Sequence, residues 1–209
     1  MKKRAIVVFS GGLDSTTLLH YVKKQGYDVY GISFYYGQRH YKELDFAKYW
    51  GKKECNDWKK IDISFMEFIC SNSALIGDKK DIPHDHYNDK NQKATVVPNR
   101  NMIMLSIAVG WAENLGIKKV FFGPHANDRA IYPDCREEFV QALNKASKLG
   151  TYNNVEIEAP FATILKRKII EMGYKLGIDF KQTWSCYEGG EKHCGKCGTC
   201  QERKEGFEI

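Results

Sequence analysis

The sequence has no apolar run that approaches the roughly 20 residues a helix needs to cross a bilayer, so no membrane contact is expected. A short apolar stretch does follow the segment Met1-Lys2-Lys3-Arg4, which carries three basic residues. That stretch ends at Phe9 and is shorter than the apolar segment of a secretory signal peptide. We therefore expect a cytoplasmic protein.

Two common phosphate-binding signatures are also absent. No Gly-Lys-Ser/Thr follows a glycine-rich stretch, which excludes a Walker A loop. The pattern Gly-x-Gly-x-x-Gly is missing as well, which excludes the dinucleotide-binding fingerprint. We find no internal repeat and no low-complexity linker. Any phosphate site in this chain must therefore use a different kind of loop.

Size and charge are those of an ordinary globular protein, with 209 residues of which 43% are hydrophobic and 28% charged. This length suits one α/β domain with a small appendage. We assign residues 1–180 to the α/β domain and residues 181–209, the cysteine region, to the appendage. The net charge of +6 fits a protein that handles phosphates, but it does not by itself indicate binding to nucleic acid.

Strand and helix patterns alternate along most of the chain, which predicts an open, mostly parallel twisted sheet with helices on both faces. A polar stretch without periodicity, residues 77–94, is expected to form a surface loop over the site. Its His84-Asp85-His86 is interpreted as solvated rather than as a metal site. The predicted strands are 5–9, 28–36, 58–63, 118–123 and 155–159, and the predicted helices are 16–24, 41–54, 65–70, 102–115, 137–149 and 166–176.

The stretch Ser10-Gly11-Gly12-Leu13-Asp14-Ser15, here called the phosphate loop, lies between the first strand and the first helix. Two glycines allow a tight turn and a close approach of the backbone to a ligand. The hydroxyls of Ser10 and Ser15 and the free N–H groups of the first helical turn point into the same space. Because the helix dipole favours an anion there, the loop is predicted to bind phosphate. A simple strand-to-helix turn is the alternative.

The cysteines do not fit a disulfide framework, because their number is odd and four of the seven lie close together. Four thiolates form a closed structural zinc site, and an iron–sulfur cluster is the alternative. A nucleic-acid-binding zinc knuckle is a further possibility, since the region also carries lysine and arginine. The predicted metal ligands are Cys186, Cys194, Cys197 and Cys200.

The phosphate loop resembles the S-G-G-x-D-S loop of the ATP pyrophosphatases, the adenine nucleotide alpha hydrolase-like superfamily. In that superfamily the loop holds pyrophosphate while ATP is cut between its α and β phosphates. The resemblance implies a Rossmann-like fold and ATP as the nucleotide. The residues it places around ATP are Phe9, Ser10, Gly11, Gly12, Leu13, Asp14, Ser15, Thr16, Thr17, Leu18 and Leu19.

Further motifs, in one order along the chain, resemble the 7-cyano-7-deazaguanine synthase (QueC) family of queuosine biosynthesis. One position departs from the family's Val-Pro-Gly-Arg-Asn, because Asn99 replaces the glycine. Asparagine tolerates a left-handed backbone better than most residues, so the turn is expected to survive. The motifs are Tyr36-Gly37-Gln38-Arg39-His40 with Glu43, Val97–Asn101, Tyr132–Arg136, Thr183–Tyr187 and the cysteines.

The family resemblance implies that 7-carboxy-7-deazaguanine, ammonia and ATP give 7-cyano-7-deazaguanine through adenylated carboxylate and amide intermediates. The resemblance also implies that Asp14 helps to bind Mg²⁺ and that Arg100 and Lys166 neutralise the negative charge of the α-phosphate. Arg39 is a weaker candidate for that task. A homodimer with bound Zn²⁺ is implied, with ammonia either free or delivered by a partner, and no direct nucleic-acid contact is expected.

Recognition of the deazaguanine requires a carboxylate, because the guanine-like edge presents two adjacent N–H donors. Asp134 is the first candidate, with Glu43 and Asp128 behind it. An aromatic side chain must also cover the flat ring. Tyr36 and Trp184 are the candidates, and a place in the core is the alternative for each.

Two other functions compete with this hypothesis. One is a tRNA-thiolating enzyme of the same fold, for which Cys135 would be the redox-active thiol. The modest charge and the lack of room for an RNA-binding domain argue against it. The other is a nucleotide-binding zinc module without turnover, which would bind RNA with a steep salt dependence.

Overall fold

The computed structural model describes residues 2–77, 81–84 and 93–208, and within them strands and helices alternate as the sequence predicts. No helix among these residues has the length and apolarity that a bilayer-spanning segment needs. The strands are β1 (Lys3–Val8), β2 (Tyr27–Tyr35), β3 (Asp57–Asp62), β4 (Lys119–Phe121) and β5 (Glu156–Glu158). The described helices are α1 (Leu13–Lys24), α2 (Glu43–Glu54), α3 (Met66–Ile69), α4 (Arg100–Asn114), α5 (Asp128–Ile131), α6 (Glu137–Leu149), α7 (Lys166–Lys175) and α8 (Gly198–Phe207), with 3-10 turns at Pro133–Cys135 and Phe180–Gln182.

The five strands form one parallel sheet in the order β3-β2-β1-β4-β5. The chain moves outward from β1 to β3 and then returns to the other side of β1 through β4. Strand order therefore reverses between β1 and β4, which leaves a crevice at their carboxyl ends. The phosphate loop follows β1 directly, so it lies at this crevice.

Both faces of the sheet are covered, as alternate residues of β1 show. Ile6 belongs to one buried apolar cluster, which includes Leu105 and Ala108 of α4. Ala5 and Val7 belong to a second cluster on the opposite face, which includes residues of α1 and α7. A strand buried on both sides explains the continuous apolar run before the phosphate loop. The predicted open parallel sheet with helices on both faces is confirmed.

The cysteine region packs against the α/β body. Trp184, Cys186 and Cys197 are buried in the same apolar cluster as Ile6. Helix α8, which the sequence patterns do not predict, lies against α7, where Gly206 approaches Ile170. The division at residue 180 remains a prediction.

The predicted surface loop 77–94 is described only in part, because residues 78–80 and 85–92, including Asp85 and His86, lie outside the described residues. Ile82 is buried, so the stretch does not lie wholly on the surface. His84 Nε2 lies 2.9 Å from Glu188 Oε1, which joins this segment to the cysteine region. That residues 77–94 cover the site remains a prediction.

Candidate active site

A cavity of about 240 Å³ opens at the carboxyl ends of β1 and β4. Its walls come from the phosphate loop, the segment after β2, the start of α4, the segment after β4 and the cysteine region. These are the places where the sequence motifs fall, so motifs distant in the chain meet around one cavity. The topology, in which strand order reverses at this point, explains why they meet.

The phosphate loop is held by its own hydroxyl groups. Ser10 N–H donates to Ser15 Oγ at 3.1 Å, and Gly12 N–H donates to Ser10 Oγ at 3.2 Å. Ser15 Oγ donates to the Gly12 carbonyl at 3.2 Å. Helix α1 begins at Leu13, three residues before the predicted Thr16, since the glycine turn ends at Gly12. The first N–H groups of α1 thus face the cavity, where an anion would satisfy them.

Gly11 brings the loop into direct contact with α2. Its φ is +86°, and a Cβ at this position would lie 2.3 Å from the Glu43 carbonyl oxygen and 2.4 Å from Ala47 N. Glycine is therefore required here twice, for the left-handed backbone and for the close approach.

Gly11→Ala tests this contact, and Gly26→Ala is its matched control. Gly26 has φ +87° but nothing within 4 Å of its Cβ position. We expect Gly26→Ala to destabilise the fold by about 1–2 kcal/mol through backbone strain alone. Gly11→Ala should also displace the loop from α2 and weaken ATP binding more than tenfold, which corresponds to about 1.4 kcal/mol of binding free energy. Calorimetric ATP titration and chemical denaturation measure the two effects; equal behaviour of the two variants would contradict the prediction.

Lys166, which is buried, forms an ion pair at the cavity with Asp14, whose side chain is 20% exposed. Lys166 Nζ donates to Asp14 Oδ2 at 2.9 Å and lies 3.5 Å from Glu202 Oε2 on α8. Burial raises the pKa of Asp14, but the positive charges of Lys166 and His125 outweigh it and hold that pKa below its usual value. Asp14 Oδ1 is buried without a hydrogen-bond partner among the described residues. That orphaned carboxylate oxygen fits a hard cation such as Mg²⁺.

Arg100 reaches the opposite wall because of the turn before α4. Asn99 adopts the left-handed conformation, with φ 57°, as expected for the residue that replaces the family's glycine. Helix α4 consequently begins at Arg100, whose Nη1 donates to Tyr36 Oη at 3.1 Å. Burial raises the pKa of Tyr36 to about 12, with Arg100 opposing the shift, so Tyr36 is a neutral phenol.

Glu43, the first residue of α2, is buried beside this pair. Gln38 Nε2 donates to Glu43 Oε1 at 3.1 Å, and His40 Nε2 lies 3.4 Å from the same oxygen. Burial raises the pKa of Glu43 to about 7, although the Gln38 hydrogen bond and the Arg100 charge oppose it. Burial and the charge of Arg100 lower the pKa of His40 to about 3, so the imidazole is neutral.

Some of the residues predicted to bind the substrate line the cavity, and others do not. Asp134 is not in the described cavity wall, and its Oδ2 instead accepts from Asn101 N–H at 2.9 Å in the first turn of α4. Arg39 is likewise outside that wall and pairs with Glu188 at 3.7 Å. The candidates in the wall are Tyr36, Glu43, Asp128 and Trp184.

Trp184 lies at the junction of the phosphate loop and the cysteine region. Its backbone N–H donates to the Gly11 carbonyl at 3.1 Å, and its indole N–H donates to the Cys186 carbonyl at 2.8 Å. The ring is 4% exposed and stacks on Phe46, with the ring centroids 6.0 Å apart. Most of the ring therefore belongs to the core, and its role over a base remains a prediction.

The four predicted metal ligands converge. The sulfurs of Cys186, Cys194, Cys197 and Cys200 all lie within 4.8 Å of one another. Cys194 Sγ is 3.9 Å from Cys200 Sγ, close to the edge of about 3.8 Å in a tetrahedron with zinc–sulfur bonds of about 2.3 Å. Helix α8 begins directly after Cys197, so its N-terminus favours thiolates at this point. The donor set fits one tetrahedral metal ion.

Cys135 reaches the cavity wall but does not have the surroundings of a reactive thiol. Burial, with Asp128 and Asp134 nearby, raises its pKa far above the usual value. Asn101 Nδ2 also donates to its sulfur at 3.3 Å. A catalytic cysteine needs a lowered pKa, so this geometry disfavours the thiolating alternative.

The cavity residue His40, and three residues that contact wall residues, receive no role from the sequence. His40 and Gln38 lie in the motif after β2, whereas His125 and Glu202 lie near Lys166. Their signal in the sequence is weak, because a histidine, glutamine or glutamate has no role until its partners are known. Only the fold reveals those partners.

Comparisons with known proteins show the family of this chain. The family model described as "Queuosine biosynthesis protein QueC" matches residues 4–209. A 7-cyano-7-deazaguanine synthase from Caldicellulosiruptor bescii is 51% identical over 98% of this chain and 92% of that protein. One from Colwellia psychrerythraea, named 7-cyano-7-deazaguanine synthase 1, is 48% identical over 100% of this chain and 95% of that protein.

A solved structure supports the fold alone. The NMN synthetase from Francisella tularensis superposes with a TM-score of 0.51 at 14% identity, over 91% of this chain and 69% of that chain. With a family model spanning nearly the whole sequence and close relatives at about half identity, the chain belongs to the QueC family of queuosine biosynthesis proteins.

Proposed function

We propose that this enzyme converts 7-carboxy-7-deazaguanine, ammonia and ATP into 7-cyano-7-deazaguanine, with AMP and pyrophosphate as the other products. The observation that carries the proposal is one cavity that joins a phosphate loop, a buried Lys166–Asp14 pair and the motifs of the QueC family. Relatives that match nearly the full chain bear the corresponding synthase name. The proposal makes the chain a ligase that forms carbon–nitrogen bonds.

The chemistry explains the need for ATP. A carboxylate is a poor acyl donor because oxide would have to leave. When its oxygen attacks the α-phosphorus of ATP and pyrophosphate departs, the oxygen is bound to AMP, which is a good leaving group. Ammonia then gives the amide. A second adenylation, on the amide oxygen, allows AMP to leave as the nitrile forms. One site serves both steps because the activated oxygen occupies the same position.

Residues of the cavity would divide this work. The N–H groups of Gly11, Gly12 and Leu13, with Ser10 and Ser15, would hold the β and γ phosphates, and Phe9 to Leu19 would surround the nucleotide. Lys166 and Arg100 would offset charge on the α-phosphate. Asp14 Oδ1 would hold Mg²⁺, which neutralises phosphate oxygens when bound.

The same cavity supports a proposal for substrate recognition. Glu43 and Asp128 are the carboxylates in the described wall, and Tyr36 and Trp184 are its candidate aromatic residues. Asp134 would act indirectly, because its carboxylate holds the start of α4 and hence Arg100. Arg39 would support the cysteine region through Glu188.

The cysteine region would hold Zn²⁺ as a closed structural site, since four thiolates leave no position open for a substrate. We further propose that residues 1–180 form the ATP-binding domain and residues 181–209 the metal-binding region. We also propose that the protein is a homodimer in the cytoplasm and makes no direct contact with nucleic acid. Its ammonia would be free or delivered by a partner.

Mass spectrometry tests the proposal directly. The enzyme with Mg²⁺, ATP, ammonium and 7-carboxy-7-deazaguanine should yield the nitrile, with AMP formed in step with the base. ADP in place of AMP would contradict the role of the phosphate loop. The amide as the end product would remove the dehydration step. No turnover of the base, with the metal still bound, would contradict the proposed substrate.

A further inference from the structure

Glu43 differs from the other carboxylates of the cavity in what holds it. Asp14 is paired with Lys166, and Asp128 Oδ2 accepts from the His125 backbone N–H at 2.9 Å. Glu43 has a neutral amide, Gln38, as its hydrogen-bond donor at 3.1 Å. It is therefore buried in the cavity wall without an ion pair to a lysine among the described residues.

Gln38 fixes the position of this carboxylate. Its Oε1 accepts from Tyr36 N–H at 2.8 Å, and its Nε2 donates both to the Phe34 carbonyl and to Glu43 Oε1, each at 3.1 Å. The carboxamide cannot turn without breaking these bonds. Because the amide of Gln38 donates to Glu43 Oε1, it orients the carboxyl group and favours its ionised form, the form that can accept a proton.

The phosphate loop lies directly against Glu43. Gly11 meets the Glu43 carbonyl so closely that no Cβ fits between them, and Ser10 and Glu43 line the same cavity. The carboxylate thus stands at the edge of the space where the phosphates would bind. A group leaving with the α-phosphate departs from the same part of the cavity.

Burial raises the pKa of Glu43 to about 7, against the Gln38 hydrogen bond and the charge of Arg100, so this carboxyl group can take and release a proton near neutral pH. The facing titratable and charged groups are Arg100 from α4, with Tyr36 and His40 from the segment before α2. Tyr36 and His40 are neutral there, because burial raises the pKa of one and lowers the pKa of the other. Arg100 is the cation that opposes the burial of the Glu43 carboxylate.

The proposed reaction needs such an acceptor. The amide nitrogen begins with two protons. One is released, to pyrophosphate or water, as the amide oxygen displaces pyrophosphate from ATP and the carbon–nitrogen bond becomes double, so the nitrogen still carries the other. The bond between the carbon and the oxygen of AMP then breaks, and its electron pair leaves with AMP. The electron pair of the remaining N–H bond forms the third carbon–nitrogen bond of the nitrile. The proton from that N–H must pass to a base.

We propose that Glu43 is this base: its carboxylate accepts the proton that leaves nitrogen as AMP departs and the nitrile forms. The assignment rests on the proposed function. It makes Glu43 a catalytic residue rather than a reader of the base edge, and it gives Gln38 a positioning role.

The test starts from the amide, 7-amido-7-deazaguanine, with ATP and Mg²⁺. This half-reaction uses no ammonia, so the ionisation of ammonium does not enter the pH profile. Nitrile formation by the unmodified enzyme should rise with pH and level off above about 7, because the carboxylate form of Glu43, present above its pKa, is the active one. Pyrophosphate and nitrile are followed separately in single turnovers.

Glu43→Gln should retain ATP binding and the release of pyrophosphate, but nitrile formation should fall about 100- to 10,000-fold and lose its rise near neutral pH. Glu43→Asp should keep the rise at a lower rate, which also covers the case in which the glutamine variant folds poorly. Asp45→Asn, an exposed carboxylate on the same helix, should behave as the unmodified enzyme.

The possible outcomes separate the two proposals. If the unmodified enzyme makes no nitrile from either the acid or the amide, the proposed function fails, and this assignment fails with it. If it does make nitrile, three results overturn the assignment alone. They are an unchanged rate and pH profile in Glu43→Gln, a raised KM for the amide with unchanged kcat, and a loss of the pyrophosphate burst in both Glu43 variants.

Discussion

Lys166→Met should lose most ATP-dependent turnover and much of its stability at neutral pH. The substitution leaves the Asp14 carboxylate buried without its 2.9 Å partner, and breaking a buried pair in this way costs about 3–5 kcal/mol. Loss of a cation beside the α-phosphate should lower turnover about 100- to 1,000-fold. Denaturant unfolding and AMP formation measure the two effects. Lys168→Met, an exposed lysine on the same helix, is the matched control and should change neither.

The double variant Lys166→Met/Asp14→Asn separates stability from chemistry. Removing both charges should restore most of the lost stability, because no buried carboxylate is left unpaired. Turnover should stay low, because the ligand for Mg²⁺ and the cation are both gone. A double variant as unstable as Lys166→Met would contradict the ion-pair argument.

The pH dependence of stability gives a further check on the same pair. The pKa of Asp14 is lower in the folded chain than in the unfolded chain. Its contribution to the free energy of unfolding is therefore fully present above the unfolded-state pKa and is lost as the pH falls through the folded-state pKa. Without Lys166 the main cause of that lowering disappears. Acid unfolding curves should therefore show a smaller acid-induced loss of stability in Lys166→Met.

Removing the metal should abolish ATP binding as well as destabilise the chain. Zinc contributes about 10–16 kcal/mol to the folding of zinc-finger peptides, and a fraction of that is large beside a domain stability of about 5–15 kcal/mol. The metal ligands are joined to the phosphate loop, because Trp184 N–H donates to Gly11 and Thr199 Oγ1 donates to the Ser185 carbonyl at 2.7 Å. Cys197→Ser should therefore lose bound zinc and ATP affinity together.

Inductively coupled plasma mass spectrometry for the metal and calorimetry for ATP measure these losses. Cys55→Ser, at a cysteine outside the cluster, is the control and should keep one zinc per chain together with ATP binding. A zinc-free Cys197→Ser variant that binds ATP normally would contradict the coupling. Bound iron in place of zinc would favour the alternative cluster.

The general fold could be predicted from the sequence because its signals are local. The apolar run before the phosphate loop and the alternation of strands with helices suffice for a parallel sheet covered on both faces. Helix α8 was missed, since glycines and cysteines in Cys194–Cys200 indicate turns around a metal rather than a helix. Its stability comes from packing, such as the contact of Gly206 with Ile170, and a single sequence does not show packing.

The candidate site can be predicted from the sequence where residues close together in the chain form the site by themselves. The phosphate loop and the four cysteines are of this kind, because spacing alone brings their groups together. Asp134 shows the opposite case. Its motif indicates a site residue, but the carboxylate binds the start of α4, and only the three-dimensional placement of Asn101 reveals that. The Glu43–Gln38 pair was hidden for the same reason, although both lie in one short segment.

The bond from Trp184 to Gly11 also links the order of synthesis to the onset of activity. A ribosome produces the phosphate loop early, whereas the residues that brace it emerge far later in the chain. Nascent chains and truncated fragments thus contain the loop without its support, and they should not consume ATP. If the proposed function holds, the energy-consuming step should become available only after the cysteine region has folded onto the sheet, so incomplete copies of the chain should leave ATP intact.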